Sequence, residues 1–178
     1  TVYIKSSNLN SIGEYAFNNS NIVDCEIICD SNIDITRVFY QTNNLSRLIF
    51  ESITELSDYA LYNSYSLTNL YIPNVTIINQ YSLYRETVNR FANLTIQANK
   101  LEEISSYSFT NCDVVVFNNP YNLYLIQDYA FNYENALSFY NNTVNLTLNF
   151  EADNTTTTDD IFTDASKIWN NFPSYFNR

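Results

Sequence analysis

The chain has no histidine, no methionine and a single glycine in 178 residues. Without histidine there is no Ser-His or Cys-His dyad, and most zinc and iron ligand sets are excluded. One glycine, Gly13, cannot supply a glycine-rich phosphate loop. With three prolines besides, long flexible linkers are not expected. Basic residues are scarce: eight Lys and Arg stand against nineteen Asp and Glu, a formal net charge of -11. A duplex phosphate backbone would be repelled, so no nucleic-acid partner is expected. Anionic membrane surfaces are disfavoured for the same reason. No stretch approaches the length of a membrane-spanning helix, so no direct membrane insertion is expected either. Three cysteines are too few for a disulfide framework. Cys25 and Cys29 lie four apart, where a bridge requires a turn between them. The simpler reading makes all three small buried apolar residues.

Hydrophobic residues, by contrast, make up 46% of the chain, with sixteen Tyr and twelve Phe among them. That is enough to bury a sizeable core in one domain. Asparagine is abundant, and it tolerates tight corners that other chains assign to glycine. The apolar residues are periodic. Ile12-Gly13-Glu14-Tyr15-Ala16-Phe17 recurs as Leu56-Ser57-Asp58-Tyr59-Ala60-Leu61, Ile78-Asn79-Gln80-Tyr81-Ser82-Leu83, Ile104-Ser105-Ser106-Tyr107-Ser108-Phe109 and Ile126-Gln127-Asp128-Tyr129-Ala130-Phe131. A degenerate copy begins at Ile35, with Phe39 where a small residue belongs. The intervals between the leading aliphatic residues are 23, 21, 22, 26 and 22. Self-similarity at this period is the signature of a solenoid.

Between the anchors lie short alternating runs: Cys25-Glu26-Ile27, Leu48-Ile49-Phe50, Leu70-Tyr71-Ile72, Leu94-Thr95-Ile96 and Val115-Val116-Phe117. Two apolar residues flanking one that points the other way is the period-2 pattern of a short strand. Val2-Tyr3-Ile4 fits the same role ahead of the first anchor, and Leu146 to Phe150 near the end. Strands are expected near residues 2–5, 25–28, 48–50, 70–72, 94–96 and 115–117, stacked into one parallel sheet. Ile12, Phe17, Leu61, Leu83, Phe109 and Phe131 are expected to be buried, with Phe109 and Phe131 filling the interior of their coils. The Asn and Ser residues that follow each anchor are turn formers, so the opposite wall should be irregular or a single helical turn.

This combination resembles the BspA-type leucine-rich repeat. The carriers are the aliphatic-Gly-Glu-Tyr-Ala-Phe unit, Asn111-Cys112 at the usual cysteine position, and Tyr71-Ile72-Pro73 with Val75 and Ile78 between repeats. The resemblance covers about residues 1–150. It implies a right-handed leucine-rich-repeat solenoid of α/β type with one parallel β-sheet, in proteins found largely on the surfaces of bacteria and some parasitic protists, with roles in adhesion. Only Gly13 keeps the glycine common in that family.

The period fails after Phe131. The run from Asp153 to Asp160 reads as a polar loop. Ile161, Ala165, Ile168, Trp169 and Phe172 then share one helical face, with Pro173 as its stop. Two units follow: a repeat solenoid at 1–150, and a C-terminal cap at 151–178 whose short amphipathic helix covers the last coil. Beginning inside a strand, the chain reads as part of a longer parent protein. Sequons begin at Asn18, Asn44, Asn74, Asn93, Asn141, Asn145 and Asn154. They matter only if a eukaryote secretes the protein.

Catalytic chemistry finds little support. Glu102-Glu103 and Asp159-Asp160 are adjacent pairs, which point to opposite sides of a strand. Asp24, Glu26 and Asp30, or Asp153 with Asp159 and Asp160, carry oxygen ligands suited to calcium but lack the spacing of a binding loop. No cofactor, no metal and no enzymatic activity are expected. The surface remains. The outward residue of each strand forms a column, Tyr3, Glu26, Ile49, Tyr71, Thr95 and Val116, that is partly apolar and hence a candidate binding face. A second column, Tyr15, Tyr59, Tyr81, Tyr107 and Tyr129, is expected to stack between coils. The reading is a non-enzymatic protein-binding module of a cell-surface or extracellular adhesin-like protein, with a host extracellular-matrix or surface protein as partner. Its alternative is a structural spacer with no ligand of its own.

Overall fold

The computed structural model describes residues 1–87, 89–118, 125–127, 130 and 136–140, with side chains described at 1–87, 94–112, 127 and 130. Eleven strands are present: β1 (Val2–Lys5), β2 (Asp24–Ile28), β3 (Arg47–Phe50), β4 (Glu55–Leu56), β5 (Asn69–Tyr71), β6 (Ile77–Ile78), β7 (Asn89–Gln97), β8 (Glu103–Ile104), β9 (Cys112–Asn118), β10 (Leu125–Ile126) and β11 (Ala136–Tyr140). All strand pairs are parallel. The main sheet has seven strands in the order β1-β2-β3-β5-β7-β9-β11. Its first six strands fall where the alternation of the sequence placed them.

One expectation is corrected. The aliphatic anchors Leu56, Ile78, Ile104 and Ile126 lie in a second parallel sheet, in the order β10-β8-β6-β4. These strands are two residues long, too short to show an alternating pattern. From β3 onward, each described coil thus passes through a main-sheet strand, a short strand and a wall of turns; the anchors Ile12 and Ile35 of the first two coils lie outside any strand. Among the described residues there is no helix. The C-terminal cap, and with it the expected amphipathic helix, lies outside them.

The turn wall has a repeating backbone. Tyr15, Arg37, Tyr59, Tyr81 and Tyr107 all have φ between 56 and 61°, in the left-handed region. Asn19, Gln41, Asn63 and Asn111 repeat the conformation four residues later, with φ from 53 to 59°. Asparagine enters this region readily, whereas tyrosine and arginine do so at a cost of about 1–2 kcal/mol each. The one glycine is not used there. The strained corners are held by hydrogen bonds to the next coil: Tyr15 N–H donates to Arg37 O, Arg37 N–H to Asp58 O, and Tyr59 N–H to Gln80 O. The same alignment continues at the large apolar residue. Phe17 N–H donates to Val38 O, Phe39 to Ala60, Leu61 to Ser82, Leu83 to Ser108 and Phe109 to Ala130.

That ladder corrects the reading of the degenerate copy. Arg37 takes the tyrosine position, Val38 the small position and Phe39 the large one, so Phe39 is no anomaly. It is fully buried and stacks on Phe17 with ring centroids 5.1 Å apart. Counted at this residue, the interval is 22 throughout, apart from the 26-residue step between Leu83 and Phe109. The extra length is taken up beside β7, whose pairing with β9 shifts register between Asn89 and Asn93.

The core is a stack of layers. Cys25, Ile27, Leu48, Phe50, Leu70, Leu94 and Ile96 enter from the main sheet, and Leu56, Ile78 and Ile104 from the short one. Phe39, Leu61, Leu83 and Phe109 enter from the turn wall. Ile12 and Phe17 are only half-buried, because among the described residues only the following coil packs on them. Phe131 lies outside the described side chains. Buried hydroxyls add a second bond to turn-wall carbonyls that already accept from Ser20 N–H and Thr42 N–H: Thr42 Oγ1 donates to Phe17 O at 2.9 Å and Ser64 Oγ to Phe39 O at 3.2 Å.

Two stability predictions follow from these layers. Phe109→Ala is expected to cost about 3–5 kcal/mol in urea melts, the range for a large core cavity. Phe17→Ala should cost less, about 1–2 kcal/mol, because its side chain is already partly exposed. At the corner, Tyr81→Gly should be less destabilising than Tyr81→Ala by about 1 kcal/mol. Both lose the ring, but only alanine keeps a Cβ in the left-handed region. Equal costs would mean that the corner relaxes out of that conformation.

Candidate binding face

The outer side of the main sheet is the first candidate surface. Successive side chains alternate, so the residues opposite Cys25, Ile27, Leu48 and Leu70 must face away from the core. Tyr3, Glu26, Ile49 and Tyr71 are in register across β1, β2, β3 and β5. The next residue in that row is Gln97, which pairs with Tyr71. Thr95 belongs to a neighbouring row that runs Asp24, Arg47, Asn69, Thr95, Val116. The expected single column is therefore two parallel rows of one face. It broke because the 26-residue step moves the register of β7 by two residues relative to the Leu94-Thr95-Ile96 reading. Of Val116, only the backbone is described.

The two rows enclose a groove of about 250 Å³, lined by Arg47, Ile49, Asn69, Tyr71, Thr95 and Gln97 along its outer side. Ile49 and Tyr71 are half-buried and form its apolar floor, while Tyr3 is 59% exposed at the β1 end. The charged end lies beside it. Arg47 Nη1 donates to Asp24 Oδ1 at 2.7 Å, and Arg47 Nη2 stands 3.9 Å from Glu26 Oε2. Arg47 thus pairs with Asp24 and Glu26, two of the three acids whose oxygens suited calcium but lacked the spacing of a binding loop. Asp30 lies beyond the end of β2 and is exposed. Among the described residues, no group of three or more His, Cys, Asp or Glu is placed to hold a metal. Arg47, Asn69, Gln97 and the half-buried, outward Ile28 were not singled out from the sequence. Counting two residues either way from Glu26, Ile49, Tyr71 and Thr95 would have found them.

The turn wall carries the second surface. Tyr59, Tyr81 and Tyr107 stack as expected, with centroids 5.0 and 5.3 Å apart and planes within 9°. Tyr15 does not join them, because Arg37 stands in the intervening coil. Its guanidinium lies 5.2 Å from the Tyr59 ring centre, a cation–π contact, and reaches back to Glu14 at 3.4 Å. Tyr15 instead meets Tyr40 edge-on at 5.7 Å. Tyr40, Tyr62 and Tyr84 form a further ladder, with centroids 4.8 and 5.1 Å apart. Tyr129 lies outside the described residues.

The cysteines are all free and buried. Cys29 Sγ is 2.9 Å from Ser52 Oγ, and Cys112 Sγ donates to Leu83 O at 3.3 Å. Burial pushes the Cys25 thiol up to about 11, with nearby Asp24 adding to the shift. Burial likewise pushes Cys112 up to about 11, against the opposing charge of Arg85. Arg85 is itself buried, with Nη2 3.4 Å from Leu67 O.

These elements define a parallel-strand repeat solenoid of the leucine-rich-repeat class. The family model described as the BspA type leucine rich repeat region, with six copies, matches residues 10–138 and 91–174. The chain belongs to that family. No curated protein and no solved structure matches it.

The raised thiols make stability depend on pH. A thiol that ionises near 9.0 when unfolded and near 11 when folded favours the folded state while both forms are protonated. That contribution is complete below pH 9 and is lost as pH rises towards 11. Each buried thiol should account for a loss on the order of 2–3 kcal/mol. Urea midpoints measured from pH 8 to 11 should fall, and the fall should be shallower in Cys112→Ala. Identical slopes for the two proteins would show that Cys112 does not carry the effect.

Proposed function

We propose that the solenoid is a non-enzymatic protein-binding module of a cell-surface, adhesin-like protein, and that it binds through the outer face of its main sheet. The observation that carries this reading is the groove between the two rows, where Ile49 and Tyr71 lie in an uncovered sheet face. Apolar side chains on an open face rimmed by polar ones are the usual make-up of a recognition surface. The fold favours it further. Residues fixed by a parallel sheet have little left to order on binding, so little entropy is lost. Repeats of this family are generally interaction scaffolds and often surface-associated. No helix among the described residues is long and apolar enough to cross a membrane. The partner we favour is a host extracellular-matrix or surface protein. With a net charge of -11, the chain would favour one presenting basic groups around an apolar or aromatic knob.

The spacer reading is kept alive by the mixed character of the face: Asp24, Arg47 and Glu26 neutralise one another at one end, and there is no unbroken apolar strip. A single set of titrations separates the two. Extracellular-matrix proteins are titrated against the whole chain, Tyr71→Ala, Ile49→Asp and Tyr107→Ala. Tyr71→Ala is expected to weaken binding by about 1–2 kcal/mol with melting nearly unchanged. Tyr107→Ala should instead lower stability and leave the intrinsic affinity alone. Unchanged affinity in both sheet-face variants would remove this face from consideration and leave the spacer reading.

A further inference from the structure

Seven tyrosines form one connected array on the turn wall: Tyr15, Tyr40, Tyr59, Tyr62, Tyr81, Tyr84 and Tyr107. Within each ladder, successive rings lie face to face at 4.8 to 5.3 Å. Across the ladders, Tyr59 meets Tyr62 at 5.6 Å and Tyr81 meets Tyr84 at 5.5 Å. The array is reachable from solvent, with Tyr15 46% and Tyr107 36% exposed and the others half-buried. It also contains a proton acceptor. Tyr62 O–H donates to Glu86 Oε1 at 3.2 Å. Burial, that hydrogen bond and the Glu86 charge hold the Tyr62 phenol protonated well above its usual range. Oxidation at Tyr62 must therefore expel a proton, and the carboxylate is in place to take it.

Packing alone does not call for this arrangement. The ring at the first corner sits in a backbone region unfavourable to tyrosine, and burying apolar surface does not require a phenol hydroxyl. We propose that the array is a site of one-electron oxidation, in which tyrosines of adjacent coils couple to dityrosine and staple the coils covalently. The oxidant is a haem-peroxidase-type one-electron acceptor consuming hydrogen peroxide. Two phenols each lose one electron and one proton, giving two phenoxyl radicals. Hydrogen peroxide takes up the two electrons and two protons and leaves as two waters. The radicals join through one ring carbon ortho to each oxygen. The hydrogen on each of those carbons then moves to its oxygen, which restores both phenols. The chain is lighter by two hydrogens per link.

Stacked neighbours suit this step because a radical formed on the exposed Tyr107 has Tyr81 5.3 Å away, and Tyr59 a further 5.0 Å along the ladder. Exchange along the array can carry the hole from Tyr107 or Tyr15 to Tyr62, where the Glu86 carboxylate stands ready to take the proton that oxidation releases. Coupling then joins Tyr40–Tyr62, Tyr62–Tyr84, Tyr59–Tyr81 or Tyr81–Tyr107, pairs 22 or 26 residues apart in sequence. The internal contrast is Tyr3. It is more exposed than any of the seven, at 59%, yet has no ring partner among the described residues.

The experiment treats the whole chain, at high dilution, with peroxidase and limiting hydrogen peroxide. Readouts are dityrosine fluorescence and mass-spectrometric mapping of linked peptides. Links are expected within one chain at the four stacked pairs, in yields independent of protein concentration, with Tyr3 and Tyr71 unlinked. Tyr62→Phe keeps the ring in the stack and should melt like the parent, while its two links disappear. Glu86→Gln, which keeps the hydrogen-bonding shape and removes the base, should lower the yield at Tyr62 severalfold and leave Tyr59–Tyr81 unchanged. Links that scale with concentration, links falling on Tyr3 as often as on the array, or no intramolecular links under conditions that couple free tyrosine would each overturn the proposal. Its failure would leave the sheet-face reading untouched, since no residue is shared.

Discussion

Hydrogen bonding between successive coils is the constraint on which everything else rests. No coil can bury its own apolar face, because each contributes only a few inward residues from any wall. Leu48 and Phe50 are dry because β2 and β5 flank them. The parallel registers do more than close the sheets. They hold the turn wall in step, so that Tyr59, Tyr81 and Tyr107 coincide, and they offset the strain of the left-handed corners at Tyr15, Arg37 and Tyr59 without glycine. Where the register is disturbed, as between Asn89 and Asn93, the consequence appears at once in the rows of the outer face.

Much of this was legible in the chain, and the reasons for what was missed are local. The main-sheet strands were visible because Cys25-Glu26-Ile27 and its counterparts alternate over three residues or more. The second sheet was invisible because two residues cannot alternate, so Leu56 and Ile78 could be read as anchors only. Phe39 was placed wrongly because Ile35 offered a plausible aliphatic start one residue off the true frame. The backbone bonds from Phe17 to Val38 and from Phe39 to Ala60 settle that frame, and no side-chain pattern does. The stacking of Tyr59 on Tyr81 was foreseen from the column of tyrosines. Its interruption by Arg37 was not, because the degenerate copy hid which residue stood in line. The ladder Tyr40, Tyr62, Tyr84 has the same 22-residue spacing but falls just past each repeat unit, where attention was on turn formers. On the candidate face, Tyr3, Glu26, Ile49 and Tyr71 follow from alternation alone. The slip at Thr95 required knowledge of where the extra four residues are absorbed.

The solenoid has two candidate surfaces with different physical character. The sheet face is a mosaic in which Ile49 and Tyr71 sit beside a compensated cluster of Asp24, Glu26 and Arg47. Exposed ion pairs of that kind contribute little to stability, about 0–1 kcal/mol, so the cluster is free to shape recognition. On the turn wall the rings are engaged with one another, and their hydroxyl edges face outward. The two surfaces share the core and the registers but no side chain, so substitutions on one leave the chemistry of the other unchanged.

The strained corners have a consequence for length. At Tyr15, Arg37 and Tyr59 the left-handed corner is held by the following coil, which accepts its amide. A coil with no follower would carry the strain without that bond. Stability in such an array should rise more than proportionally with the number of coils at first, then linearly. A minimum viable number of repeats is thereby written into the backbone. Below it, fragments of the same sequence would be sound in every local preference except one and would still fail to hold their shape.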